Sequence, residues 1–132
     1  MSIQTVTRQD PRFASLIRSR NARWPGSVSD AGIASRIELC DGSKNVEEAV
    51  QRVIDAKLRP TVRSGGHCYE DFVANNPGGA ILDVSLMSEA VAMPGGGYRI
   101  GSGTSLGQAY GDLYKRHNVT LPGGSCGSVG AG

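Results

Sequence analysis

Residues 36–63 decide how this chain is read: Arg36-Ile37-Glu38-Leu39-Cys40, the turn Asp41-Gly42-Ser43, the run Asn45-Val46-Glu47-Glu48-Ala49-Val50 that continues through Val53, Ile54 and Leu58, and finally Pro60-Thr61-Val62-Arg63. Polar and apolar residues alternate from Ser35 to Cys40, the period-two pattern of a strand with one buried face. Val46, Ala49, Val50, Val53, Ile54 and Leu58 recur at helical spacing and draw a single apolar stripe. Asn45 is the expected cap, with Glu48 three residues on as its capping-box partner. Pro60 ends the helix, and Pro60 to Arg63 forms a second short strand. Strand, helix and strand in this order make a βαβ unit, whose crossover is right-handed.

Downstream, Asn75-Asn76-Pro77-Gly78-Gly79 is turn chemistry, and Ala80-Ile81-Leu82-Asp83-Val84 reads as a buried strand. Val91 to Met93 and Tyr98 to Gly101 flank Pro94-Gly95-Gly96-Gly97, a hairpin pattern. A second amphipathic helix is predicted from Ser105, with Gln108 at the capping-box position and Leu106, Ala109, Tyr110, Leu113 and Tyr114 as its buried stripe. Val119 to Leu121 reads as a last strand, followed by the glycine-rich run from Pro122 to Gly132. Upstream, residues 1–32 read as polar and irregular. The one exception is a short helix from Asp10-Pro11 through Leu16 and Ile17, with Asp10 as cap. The fold class is α+β.

Composition removes several function classes. The 14 basic and 12 acidic residues leave a net charge of +2, too balanced for a polyanion-binding protein. The arginines at 8, 12, 18, 20 and 23 lack interleaved aromatics and read as a solvated face, so no nucleic-acid partner is expected. Three cysteines, Cys40, Cys68 and Cys126, are an odd number without metal-ligand spacing, so neither a disulfide framework nor a metal site is expected. No signal peptide or membrane-length apolar run is present, and a cytoplasmic protein is the expectation. The 19 glycines are far above ordinary usage and mark backbone that bends or approaches a ligand closely.

Two segments carry chemistry. Arg63-Ser64-Gly65-Gly66-His67-Cys68 directly follows a predicted strand. Its glycines free backbone N–H groups to turn inward as a phosphate-binding nest, Arg63 and Ser64 add charge and a hydroxyl, and His67 stands beside whatever is bound. The same hexapeptide also reads as a Gly-Gly turn with an incidental histidine. In the second segment, glycines surround Cys126, and clustered N–H groups lower a thiol pKa toward the nucleophilic thiolate. A small cysteine packed in a turn is the competing reading. Gly101-Ser102-Gly103-Thr104-Ser105-Leu106-Gly107 lacks the third glycine of a dinucleotide fingerprint, and no Gly-Lys-Ser/Thr loop occurs.

The order of these features resembles the flavin domain of the berberine-bridge-like and oligosaccharide-oxidase family, a PCMH-type FAD-binding domain within the vanillyl-alcohol-oxidase flavin fold. The resemblance runs from about Asp10 to Gly132. It rests on the strand and helix of residues 36–58, on Arg63-Ser64-Gly65-Gly66-His67, on Ile81-Leu82-Asp83-Val84-Ser85, on Gly101-Ser102-Gly103-Thr104, and on Leu121-Pro122-Gly123-Gly124 leading into Cys126-Gly127-Ser128-Val129-Gly130. The stretch from Arg63 to Asp71, followed by a Cys-containing Pro-Gly-Gly loop, is most similar to bacterial sugar and glycopeptide hexose oxidases.

The resemblance implies an FAD-dependent oxidoreductase with two covalent links. His67 matches the histidine joined to the flavin 8α-methyl carbon, and Cys126 the cysteine joined to flavin C6. Arg63, Ser64, Gly65, Gly66, Cys68, Gly123, Gly124, Val129 and Gly130 complete the implied cofactor-binding set, with Gly65-Gly66 at the pyrophosphate. The implied reaction oxidises an alcohol, a sugar hydroxyl or a C–H next to nitrogen, with oxygen as acceptor; a glycosyl substrate is implied by resemblance alone. Residues 1–32 are then an N-terminal extension packing on the domain, and residues 33–132 a flavin domain incomplete at its C-terminal end. No catalytic base is assigned; relatives carry it beyond the matched region. Cys68 stands where many relatives have Asp or Ser. It is expected to face away from the flavin, because neighbours in extended backbone point to opposite sides. The competing readings are a truncated or split fragment without activity of its own and a stand-alone phosphate-binding module.

Overall fold

The computed structural model describes residues 3–20, 32–70 and 72–132, so Arg23 and Asp71 of the patterns above lie outside the described residues. The chain orders itself as β1 (Gln4–Thr7), α1 (Phe13–Leu16), β2 (Arg36–Leu39), α2 (Ser43–Asp55), β3 (Pro60–Arg63), β4 (Ala80–Asp83), β5 (Ala90–Ala92), β6 (Tyr98–Ile100) and α3 (Leu106–His117). Four strands form one mixed sheet in the order β1-β2-β4-β3, and β5-β6 is a separate hairpin. This is the α+β architecture read from the sequence.

β4 lies between β2 and β3 and is parallel to both. All four of its residues are buried, as a strand covered on both faces requires. The βαβ unit is therefore spread by one strand: β2 and β3 flank β4 and do not pair. Alternation divides the sheet between two cores. Val6, Ile37 and Ile81 face Phe13 and Ile17 of the N-terminal segment. Cys40, Ala80 and Leu82 face Ala49 and Val53 of α2.

The N-terminal segment is more regular than its polar composition indicates. Residues 4–7 form β1, antiparallel to β2 in the register Val6↔Ile37. A single buried residue in this strand, Val6, gives too weak an alternation to be recognised. α1 starts at Phe13 rather than at Pro11. The Asp10 carboxylate accepts the backbone N–H of Arg12 at 2.9 Å and closes a tight turn before the helix.

Helix α2 begins earlier than expected. Gly42 is its extended N-cap, and its carbonyl accepts the N–H of Val46 at 3.1 Å. Asn45 is thus inside the first turn, where its buried side chain donates to Asp41. Val50 and Ile54 of the stripe stay exposed, at 37% and 58%; the buried line is Asn45, Ala49 and Val53. The helix closes before Pro60 acts on it. Lys57 adopts a left-handed φ of 54°, its N–H reaches Ile54 O, and the Leu58 N–H reaches Val53 O, the paired bonds of a Schellman stop. Pro60 instead opens β3.

Ser105 caps α3 as expected, its hydroxyl accepting the N–H of Gln108, and Asn118 ends the helix in the left-handed conformation. The buried stripe is narrower than predicted: Ala109 and Leu113 are buried, and Tyr114 is 68% exposed. Val119–Leu121 is not a strand. Its residues leave the helix without a partner strand among the described residues. No helix among the described residues is long and apolar enough to cross a membrane.

Candidate functional site

The first loop leaves the C-terminal end of β3, where Arg63 and Asp83 sit opposite each other in the parallel register. Both side chains are buried. Arg63 donates from Nε (2.8 Å) and from an Nη (2.5 Å) to Asp83 Oδ2, and its other Nη reaches the Arg18 carbonyl at 3.4 Å. Asp83 Oδ1 accepts the Ser85 N–H. The charge of Arg63 is therefore neutralised inside the fold. Breaking such a buried pair on one side costs about 3–5 kcal/mol.

Beyond Arg63 the backbone turns at Gly66, whose φ of 73° is left-handed and favours glycine. The Gly66 carbonyl accepts the Arg20 N–H at 2.9 Å, tying the loop to the N-terminal segment. Among the described residues no acceptor takes the N–H of Gly65, Gly66 or His67. Among the described residues, the buried His67 Nε2 has no hydrogen-bond partner. Leaving such an atom unpaired costs about 1–3 kcal/mol, which a bound group would relieve.

The second loop returns from α3 and lies against the first. Leu106 and Gly107 in the first turn of α3 donate to the carbonyls of Val129 and Gly127, and Ser105 bridges Gly130. The loop thus satisfies the orphan N–H groups of that helix. Gly124 O accepts the Tyr110 hydroxyl at 2.6 Å, which pins the Pro122-Gly123-Gly124 segment to α3. Ser64 Oγ donates to Ser102 O at 2.6 Å, and Gly132 N donates to the same carbonyl. The two loops pack tightly where Ser64 and Gly65 meet Gly130. A Cβ on Gly65 would collide with the Gly130 nitrogen, and one on Gly130 would stand 2.7 Å from the Gly65 nitrogen.

His67, Gly66, Cys68, Val73, Val129 and Gly132 line a cavity of about 300 Å3 at this junction. A second cavity, about 220 Å3, lies beside Arg18, Arg20 and Ser85. Arg63, Ser64, Gly65 and Gly66 border both, so the first loop is the wall between them. A larger cavity of about 470 Å3 between the start of α2 and the β5-β6 hairpin is lined by Gly101 and Ser102 but by none of the expected cofactor-binding residues. Cys68 lines the same cavity as His67, contrary to the strict alternation expected of it. The backbone bends over residues 64–66 and is irregular at His67 and Cys68, not a strand, so the period-two rule does not apply there.

Cys126 is exposed on the second loop. Its thiol pKa is lowered, first by the Ser128 hydroxyl at 3.4 Å, then by the Ser128 and Val129 N–H groups, with a contribution from the charge of Arg20. Cys40, by contrast, is pushed up to about 11 by burial and by the nearby carboxylates of Glu38, Asp83 and Asp41. The two thiols are chemically distinct, one nucleophilic and one inert. Ser128 and Asp83 were not picked out from the sequence as site residues. The Cys-x-Ser spacing was visible, but Asp83 is identified only by the strand register that sets it beside Arg63.

The chain is 35% identical over 130 residues to a hexose oxidase from Chondrus crispus, covering 97% of this chain and 23% of that protein. Its fold superposes on a glycopeptide hexose oxidase, solved with teicoplanin, with a TM-score of 0.88 at 38% identity, covering 100% of this chain and 26% of that one. The flavoenzyme CrmK of caerulomycin biosynthesis gives the same TM-score, identity and coverage. Over its whole length the chain is similar to the N-terminal quarter of berberine-bridge-like oxidoreductases. It spans about a quarter of the length of these relatives. No protein-family model matches it.

In these structural neighbours the matched region is part of the FAD-binding domain. The residues of this chain fit that cofactor on their own chemistry. Among the described residues, the N–H groups of Gly65 and Gly66 without an acceptor and the unpaired buried nitrogen of His67 lie on one loop, and Cys126, whose thiol pKa is lowered, lies on the loop that touches it, outside the cavity that His67 lines.

Proposed function

We propose that this chain forms the flavin-holding part of an FAD-linked oxidase that oxidises an alcohol or sugar hydroxyl with oxygen as electron acceptor, the FAD being attached through both His67 and Cys126. The observation that carries this reading is the backbone contact of Gly65 with Gly130, which joins the His67 loop to the Cys126 loop. His67 and Cys126 are 59 positions apart in sequence (126 − 67 = 59), yet they stand on touching loops.

When bound, FAD would supply the two-electron acceptor that no amino-acid side chain provides. The protein supplies position. Gly65 and Gly66 offer N–H groups to the pyrophosphate. His67 offers an imidazole nitrogen and Cys126 a thiolate, the nucleophiles that covalent attachment needs. Ser128 keeps the thiol deprotonated at lower pH than an ordinary cysteine. Val129 lines the cavity beside His67, Gly130 packs against Gly65, and Gly123 and Gly124 let the chain pass Tyr110 and Leu106 without a side chain in the way.

Intact-protein mass spectrometry of the native holoprotein after acid denaturation tests the reading. The expected result is a mass increased by one FAD, with peptide mapping placing the flavin on both His67 and Cys126. Release of all flavin on denaturation would leave a non-covalent FAD fold and remove the two assignments.

A further inference from the structure

We propose that Arg63 and Asp83 are positioning residues for the covalent attachment at His67. The inference rests on the covalent reading above. Arg63 stands where a phosphate-binding arginine is expected, but its guanidinium is turned back into the fold and held by Asp83 and the Arg18 carbonyl. Its aliphatic stem runs beneath the loop: Arg63 Cδ is the nearest neighbour, at 3.7 Å, of a Cβ built on Gly66. The left-handed turn at Gly66 therefore lies beside a side chain that cannot move without breaking the buried pair.

Three further bonds make this a fixed frame. Val84 N–H donates to Arg63 O, Cys40 N–H donates to Asp83 O, and Ser85 N–H donates to Asp83 Oδ1. His67 is the residue directly after the turn. Its direction is set by the frame, whereas Cys126 is held separately by Ser128 and by the α3 loop. The pair is one-sided in its influence for that reason.

The step it serves joins an imidazole nitrogen of His67 to the flavin 8α-methyl carbon. One proton leaves the imidazole and one leaves the methyl group, and the two electrons pass to molecular oxygen, giving peroxide. Small misplacement of the nucleophile slows such a step far more than it disturbs binding.

The test uses the FAD-loaded holoprotein and counts His67-linked and Cys126-linked flavin peptides separately. Asp83→Asn alone leaves a buried cation and risks misfolding, so the decisive protein is the neutral pair Arg63→Gln/Asp83→Asn. Its expected behaviour is retained FAD and retained Cys126 linkage, with at least a tenfold fall in the rate of His67 linkage. Arg63→Lys, which keeps the charge but not the two-pronged contact, is expected to restore part of that rate. A general loss of structure would remove both links together, and equal loss of both in the double variant overturns the inference. So does wild-type His67 linkage in that variant. A parent protein without His67-linked flavin overturns the proposed attachment and this inference with it, an outcome distinct from an unaffected variant of a linked parent.

Discussion

Gly65 and Gly130 meet backbone to backbone, with no room for a side chain on either. The contact is between residues on opposite sides of the glycine-rich half of the chain, and it brings the loop after β3 against the loop after α3. Substitution by Ala is expected to separate the loops. On Gly65 the added Cβ meets backbone, which cannot rotate away. On Gly130 it meets both the Gly65 backbone and the Ser64 hydroxyl, itself fixed on Ser102. Gly65→Ala and Gly130→Ala should each cost about 1–3 kcal/mol in denaturant unfolding, the usual range for overpacking. Each should also lower flavin content in the purified holoprotein. Gly111→Ala, in the interior of α3 with open space around it, is the control: it should raise stability by about 0.5–1 kcal/mol and leave flavin content unchanged.

The Cys126 thiol should react at lower pH than an ordinary cysteine. Its pKa is lowered by the Ser128 hydroxyl and by neighbouring N–H groups, so its thiolate persists as pH falls below the range of a free thiol. Alkylation of the flavin-free protein, followed by peptide mass spectrometry across a pH series, should give a midpoint below that of a model thiol. Ser128→Ala should move this midpoint upward. Cys40, pushed up to about 11, should stay unlabelled until the protein unfolds. Equal labelling of Cys40 and Cys126 in native protein would show that their environments do not differ as described.

The sequence made most of this fold legible because its signals are local. Alternation at β2, the apolar spacing of α2, the glycines of the β5-β6 turn and the Ser105 cap all act within a few residues. What escaped was set at longer range. β1 exists because Val6 packs across the sheet on Ile37, a contact no four-residue pattern reveals. β4 inserts between β2 and β3 because its residues are apolar on both faces, which indicates burial but not partners. The site divides in the same way. Gly65, Gly66, His67 and Cys126 stand out by residue type. The pairing of Arg63 with Asp83 and the contact between the loops depend on register and on tertiary closure.

Ser105 couples helix α3 to the site. Its hydroxyl accepts the Gln108 N–H, and its backbone bridges Gly130. Ser105→Ala should destabilise the protein by about 0.5–2 kcal/mol, the cost of losing a helix cap. Because Leu106 and Gly107 donate to the Cys126 loop, fraying of this turn should also loosen that loop. The measurement is amide hydrogen exchange. Protection at Leu106, Gly107 and Ala131 should fall together, while the β2-β4 ladder stays protected. Faster exchange confined to Gln108 would separate the cap from the loop.

The two attachment residues should be separable by substitution in the holoprotein. Cys126→Ala removes the thiolate but leaves His67 and the N–H groups of Gly65 and Gly66 in place, so flavin should stay covalently bound by one link after acid precipitation. His67→Ala should leave flavin joined through Cys126, whose acidified thiol depends on Ser128 and not on the first loop. The double variant should release all flavin on denaturation. Cys68→Ala is the demanding control, because Cys68 lines the same cavity as His67 and is near enough to that residue to be a rival nucleophile. It should keep both links, since the change leaves His67 and the Ser128-bonded thiol of Cys126 in place. Each single loss should lower the flavin reduction potential and slow substrate turnover, because a covalent substituent withdraws electron density as well as fixing position. Flavin retained by the His67→Ala/Cys126→Ala protein after denaturation would transfer the attachment to Cys68, and the triple variant lacking all three side chains would then be the one that releases it.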